Sequence, residues 1–154
     1  MTGIMSGPRP EDAQSIDAVV TALYEVLSGP AGPRDWERQR FLLAPWALLM
    51  PTRPRPDGGH GVEVFDAGGY AASRGPLLLQ TAFYETEIAR RVERFGNIAH
   101  VWSTYESRRA PGEEPFMRGI NSIQLYHDGG RWWVVAVLWD NEREGHPLPA
   151  AYLP

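Results

Sequence analysis

The segment His127-Asp-Gly-Gly-Arg131, set between "SIQLY" and "WWVVAVLWD", constrains the fold more than any other part of the chain. Asp-Gly between two apolar runs is a strong hairpin signal, because the tight turn needs residues that tolerate positive φ. The last third of the chain is thereby committed to antiparallel pairing. Two further reversals, at "RFGN" (94–97) and "APGEE" (110–114), extend the pattern backward. Strands are expected over about 82–95, 97–109, 116–127 and 131–140.

Upstream the periodicity is helical. In "EDAQSIDAVVTALYEVLSG", Ile16, Val19, Val20, Leu23 and Leu27 recur at spacings of three and four, which makes one apolar helix face. Asp12 is placed to cap its start, and Gly29-Pro30 to stop it. Tyr24 lies at the edge of the stripe, where its ring can pack while its hydroxyl finds a polar partner. A shorter helix is expected over "DWERQRFLLA", anchored by Trp36 and Phe41, and "WALLMP" reads as a short buried strand ended by Pro51. "TRPRPDGGHG" reads as turns, "VEVFDA" as a strand and "AGGYAASRG" as a short helix. Helices first and antiparallel strands afterwards make an α+β chain with helices on one side of a bent sheet.

Composition excludes several chemistries. The 154 residues contain no cysteine, so there is no disulfide, thiolate nucleophile or cysteine-bound metal. All 15 basic residues are arginine; without lysine, neither a Schiff base nor a P-loop lysine is possible. A net charge of −4 lacks the basic footprint of a nucleic-acid binder. Arg90, Arg91 and Arg94 are interleaved with Glu85, Glu87 and Glu93, which reads as a solvated strand face rather than an anion site. No apolar run approaches the roughly 18 residues that would cross a membrane. The opening lacks a basic segment followed by an apolar core, so the expected location is cytoplasmic. His60, His127 and His146 fall in turns or the tail, no metal-ligand spacing occurs, and Ser103 and Ser107 lack a nucleophile-elbow motif. Neither metal nor cofactor is expected.

The element order, closed by "RGINSIQLYHDGGRWWVVAVLWDNE", resembles the NTF2-like (SnoaL-like) superfamily. The resemblance implies a cone: N-terminal helices packed on a strongly bent, mainly antiparallel sheet around a pocket. It divides the chain into a flexible N-terminus (1–10), the domain (11–145) and a Pro-rich tail (146–154) that lies on the surface or is disordered. In the superfamily's ketosteroid isomerases a general-base Asp precedes a Pro on the first strand; the matching residue here is Met50, which cannot take a proton. A second acid early in the penultimate strand is matched by Asn121, which can only offer hydrogen bonds. Tyr24 approximates the helix-1 tyrosine.

With Asn121 inward, alternation also turns Ile123 and Leu125 into the pocket. The hairpin match adds Trp133, Val135, Val137 and Trp139, leaving Trp132, Val134, Ala136 and Leu138 on the outer face. The family's aromatic–acid pattern at "YE" (105–106) sets Ala99, Val101, Ser103 and Tyr105 inward, and His100, Trp102, Thr104 and Glu106 outward. The expected pocket residues are thus Tyr24, Met50, Tyr105, Asn121, Ile123, Trp133, Val135, Val137 and Trp139. An outer face so apolar implies a homodimer through it. Two functions stay open. One is an acid–base enzyme (isomerase, lyase or hydrolase) on an apolar cyclic compound, with Glu87 or His100 as the acid–base group if the strand registers differ. The other is a non-catalytic binding or structural protein. An inward-facing ionisable pair within hydrogen-bond reach would favour the first, and a wholly apolar cavity the second.

Overall fold

A computed structural model of the chain describes residues 6–154. Three helices, α1 (Ile16–Leu27), α2 (Trp36–Leu42) and α3 (Ala67–Gln80), cover one face of a six-stranded sheet. The strands are β1 (Leu43–Pro54), β2 (His60–Val62), β3 (Tyr84–Phe95), β4 (Ile98–Arg108), β5 (Met117–His127) and β6 (Trp132–Asn141). Their spatial order is β2-β1-β6-β5-β4-β3, antiparallel except where β1 runs parallel to β6. The architecture is α+β, as the order of periodicities requires. Part of the expected flexible N-terminus, residues 1–5, lies outside the described residues; further on, the Gly7 amide donates to Asp35 at 2.9 Å.

The α1 stripe packs as its spacing demands. Val19 and Val20 are fully buried, and Leu23 and Leu27 half-buried, in a contiguous core with Leu43, Leu49, Val101, Ile123 and Leu125. Each large apolar side chain so buried contributes about 1.5–3 kcal/mol. The cap differs from expectation. Ser15 Oγ accepts from the Ala18 amide at 3.0 Å, while Asp12 is drawn into a buried ion pair with Arg38, 2.8 Å away. At the other end, buried Arg34 donates to the carbonyls of Leu27, Gly29, Pro30 and Gly32, satisfying helix-end acceptors that have no partner of their own.

Local grammar failed in two other places. α3 runs through Pro76 to Gln80, farther than the short helix expected before that proline. Its first turn is fixed by Asp66, which accepts from the Gly69 amide at 2.7 Å. β2 begins inside the turn-rich stretch and takes in only Val62 of the "VEVFDA" segment, which beyond it keeps a bridge from Phe65 to Leu49.

Two one-residue bulges set the sheet's facing. The hairpin turn is pinned by Asp128, whose Oδ1 accepts from Gly130 and Arg131 and whose Oδ2 accepts from Trp133 Nε1 at 2.8 Å. Those bonds pull its carboxyl down to about 2. Farther along β6 the register slips between Leu125↔Val134 and Gln124↔Ala136, leaving Val135 as the extra residue. Alternation therefore inverts across it. Trp132 and Val134 are buried in the helix-covered core, correcting their expected outward facing. Trp133 instead sandwiches the Arg131 guanidinium, 3.6 Å from its ring. In β3 the slip falls between Glu87↔Tyr105 and Ala89↔Thr104, with Ile88 the extra residue. β4 is regular: Ala99, Val101, Ser103 and Tyr105 are buried, while His100 and Trp102 are exposed.

The tail is ordered on the outer face. Tyr152 packs against Trp102 at 5.8 Å between ring centres, its carbonyl accepts from Thr104 Oγ1, and Arg91 lies over its ring.

Candidate functional site

Between α1, α3 and the inner sheet face lies a cavity of about 380 Å³. Its walls come from Leu23, Tyr24 and Leu27 of α1, Leu49 of β1, and Tyr70, Leu77 and Leu78 of α3. The sheet adds Glu85, Tyr105, Asn121, Ile123, Val137 and Trp139. Tyr70 holds the aromatic corner, meeting Trp36, Phe65 and Trp139 edge-on with centroids 6.1–6.2 Å apart.

Glu85 is the one carboxyl in the lining. The Ile88 bulge sets it opposite buried Ser107, on the inner face. Ser107 Oγ donates to it at 3.3 Å. Burial pushes the Glu85 carboxyl up to about 7, against the smaller downward pull of Ser107. No guanidinium is among the groups that shift it. A carboxyl so poised exchanges its proton near neutral pH and can serve as base or acid. Burial, and then the Glu85 charge, push the hydroxyls of Tyr24, Tyr70 and Tyr105 upward, Tyr70 to about 12. These phenols therefore remain neutral.

A hydrogen-bond relay runs along the wall. Asn121 Nδ2 donates to Tyr24 Oη at 3.0 Å, and Tyr24 Oη meets Ser103 Oγ at 2.6 Å. Ser103 gives its only proton to Glu87, so Tyr24 must be the donor to Ser103. Glu87 is gripped by Arg90 through three contacts of 2.6–3.0 Å, and Arg90 reaches on to Asp17. Tyr105 donates to Asn141 Oδ1. The Tyr105 ring needs Gly119 opposite it: a Cβ there would lie 2.4 Å from both Tyr105 Oη and the Asp140 carbonyl.

No protein-family model matches the sequence, and comparison with curated proteins gives no match. Solved structures do resemble it. An NTF2-like protein of unknown function from Pseudomonas putida KT2440 shares 12% identity over 96% of this chain and 100% of that one, with a TM-score of 0.64. A protein of unknown function with a cystatin-like fold from Nostoc punctiforme PCC 73102 shares 11% over 82% and 88%, also at 0.64. A candidate ketosteroid isomerase from Parabacteroides distasonis ATCC 8503 shares 10% over 86% and 97%, at 0.58. The chain has the NTF2-like fold.

Within that fold, six of the nine expected pocket residues converge on the cavity: Tyr24, Tyr105, Asn121, Ile123, Val137 and Trp139. Trp133 and Val135 do not, because the β6 bulge carries their half of the strand out of the pocket alternation. Met50 does not either. It pairs with exposed Leu138, and its neighbour Leu49 lines the cavity in its place. Of the alternative acid–base groups, His100 is exposed beside Glu93 at 3.6 Å, and Glu87 is bound to Arg90. Sequence reasoning missed Glu85 and Tyr70. The signal for Glu85 is its position two residues from Phe83, which also lines the cavity, but only a bulge at Ile88 makes that spacing point inward. Among the described residues no group of three His, Cys, Asp or Glu side chains could hold a metal, and no helix is long and apolar enough to cross a membrane.

Proposed function

We propose that this NTF2-like protein is an acid–base enzyme whose Glu85 moves a proton on an apolar, cyclic small molecule bearing one or two oxygens. Isomerisation, elimination and hydrolytic ring opening all need such a group. The observation that carries the reading is a single carboxyl, without an ion-pair partner and shifted to about 7, in the wall of a mainly apolar cavity. A wholly apolar cavity would have favoured passive binding. Asn121 has a second amide hydrogen beyond the one given to Tyr24, and it can orient a ligand oxygen. Tyr24 and Tyr105, with their own protons committed to Ser103 and Asn141, stiffen the wall.

A thermal-shift screen of steroids, aromatic polyketides and terpenoid epoxides tests the reading, with hits then followed for turnover. Glu85→Gln keeps the shape and should bind such hits while losing turnover by about 10²–10⁴-fold. Asn121→Leu should weaken binding. Hits that bind the unaltered protein without turning over would leave only the binding-protein reading.

The same proposal includes a homodimer through the outer face. Its support is the cross-strand row Met50–Leu138–Ser122–Trp102, in which Leu138 and Trp102 are 42% and 40% exposed even with the tail in place. A monomer by light scattering at micromolar concentration would remove this part.

A further inference from the structure

Three arginines line the cavity: Arg53, Arg74 and Arg109. Arg53 is neutralised by Glu63, 2.5 Å away. The other two have no carboxylate partner among the described residues. Arg74 lies over the faces of Phe65 and Tyr70, 5.9 and 5.7 Å from their centroids. Arg109 lies 4.1 Å from the Phe116 centroid and spends one donor on the Ala82 carbonyl at 3.3 Å. Ring faces orient a guanidinium but leave most of its five N–H donors unspent. Exposed lining residues stand beside these two, Leu77 (60%) and Phe116 (47%), which sets both arginines at the mouth. A chain of net charge −4 thus presents two unneutralised cations at the entrance of an apolar cavity.

Resting on the reading that this cavity binds a cyclic small molecule, we infer that its substrate class is an apolar ring carrying one carboxylate, which Arg74 and Arg109 hold at the mouth. The polarity of the cavity sets the orientation. An anion placed deep would face the Glu85 carboxyl in a low-dielectric space, where like charges repel strongly. At the mouth it meets guanidiniums whose planar forks match a carboxylate. The ring then enters against Tyr70 and Trp139 and brings its reacting end toward Glu85. The mouth arginines would be specificity-determining residues and Glu85 the catalytic one.

Naphthoate and its methyl ester form a matched pair of probes, differing in charge and nearly equal in ring area. Calorimetric titration at neutral pH and low salt should show the acid binding about ten-fold tighter than the ester or better, the scale of one charge-assisted hydrogen bond. The preference should shrink as salt is raised. Arg74→Gln with Arg109→Gln should erase the preference, bringing acid and ester to equal affinity. Arg109→Gln alone, at an exposed position, should erase part of it should the double variant fold poorly. Equal affinity of acid and ester for the unaltered protein overturns the inference and leaves the cavity reading intact. Failure of both probes to bind at millimolar concentration overturns both readings. A preference for the acid that survives in the double variant assigns it elsewhere and overturns the role of the two arginines.

Discussion

Glu85 and Glu87 stand two residues apart on one strand, face the same side of the sheet, and live in opposite electrostatic conditions. Glu87 sits under α1 with Arg90 wrapped around it and Asp17 beyond. Glu85 sits at the cavity wall with a serine for company. In a chain with 15 arginines, cations are not scarce; one is withheld from Glu85. The comparison teaches that burial alone does not set a carboxyl's behaviour. A bound guanidinium ties Glu87 into an ion pair, and the lack of one leaves Glu85 able to trade a proton near neutrality.

The contrast can be broken from either side. Arg90→Ala should have the largest effect, because it leaves Glu87 mostly buried and unpaired. A loss of about 3–5 kcal/mol is expected by urea denaturation. Glu85→Gln comes next and has the opposite sign. The native carboxyl holds its proton from its ordinary value of 4.5 up to about 7, so the folded state binds more protons than the unfolded one across that window. Stability therefore falls as pH rises through it. Glu85→Gln should stabilise the protein by up to about 3 kcal/mol at about pH 8 and by nearly nothing at about pH 4. Equal effects at both pH values would mean that Glu85 carries no shift. The smallest effect belongs to Ser107→Ala, about 1 kcal/mol or less in stability. It removes the donor that favours the charged form, so the Glu85 titration should move further to the alkaline side. No movement would show the 3.3 Å contact to be without weight.

Much of this fold is legible in the sequence, and the reasons are local. The Asp128-Gly129 turn, the α1 stripe and the β4 alternation each depend on neighbours within a few residues, and each element forms as its pattern requires. The cavity is less legible because the two bulges decide it. Counting back from the Phe95↔Ile98 pair without a bulge would set Glu85 against Arg108 on the outer face; the extra Ile88 moves it to Ser107 and turns it inward. In β6 the run "WWVVAVLW" is apolar on both alternations, so periodicity cannot reveal the slip at Val135. The outer face misleads for a related reason. Two of its four expected apolar residues, Trp132 and Val134, belong to the core, and Trp102 is packed by a tail expected either to lie on the surface or to be disordered.

The parallel pairing of β1 with β6 carries a consequence for how the molecule is built. Leu49 and Val137 touch the same cavity and share one register position, yet they are separated by roughly ninety residues of chain. The β3-β4-β5 meander can form from nearby contacts, whereas the seam between the first and last long strands must wait for the whole domain to be synthesised. Closing so long a loop is entropically slow. Until it closes, the apolar wall that will hold a ligand is open to water and to other unfinished chains. The pocket is thus the last part of the structure to exist, and any ligand that fits it acts as a latch on the completed fold.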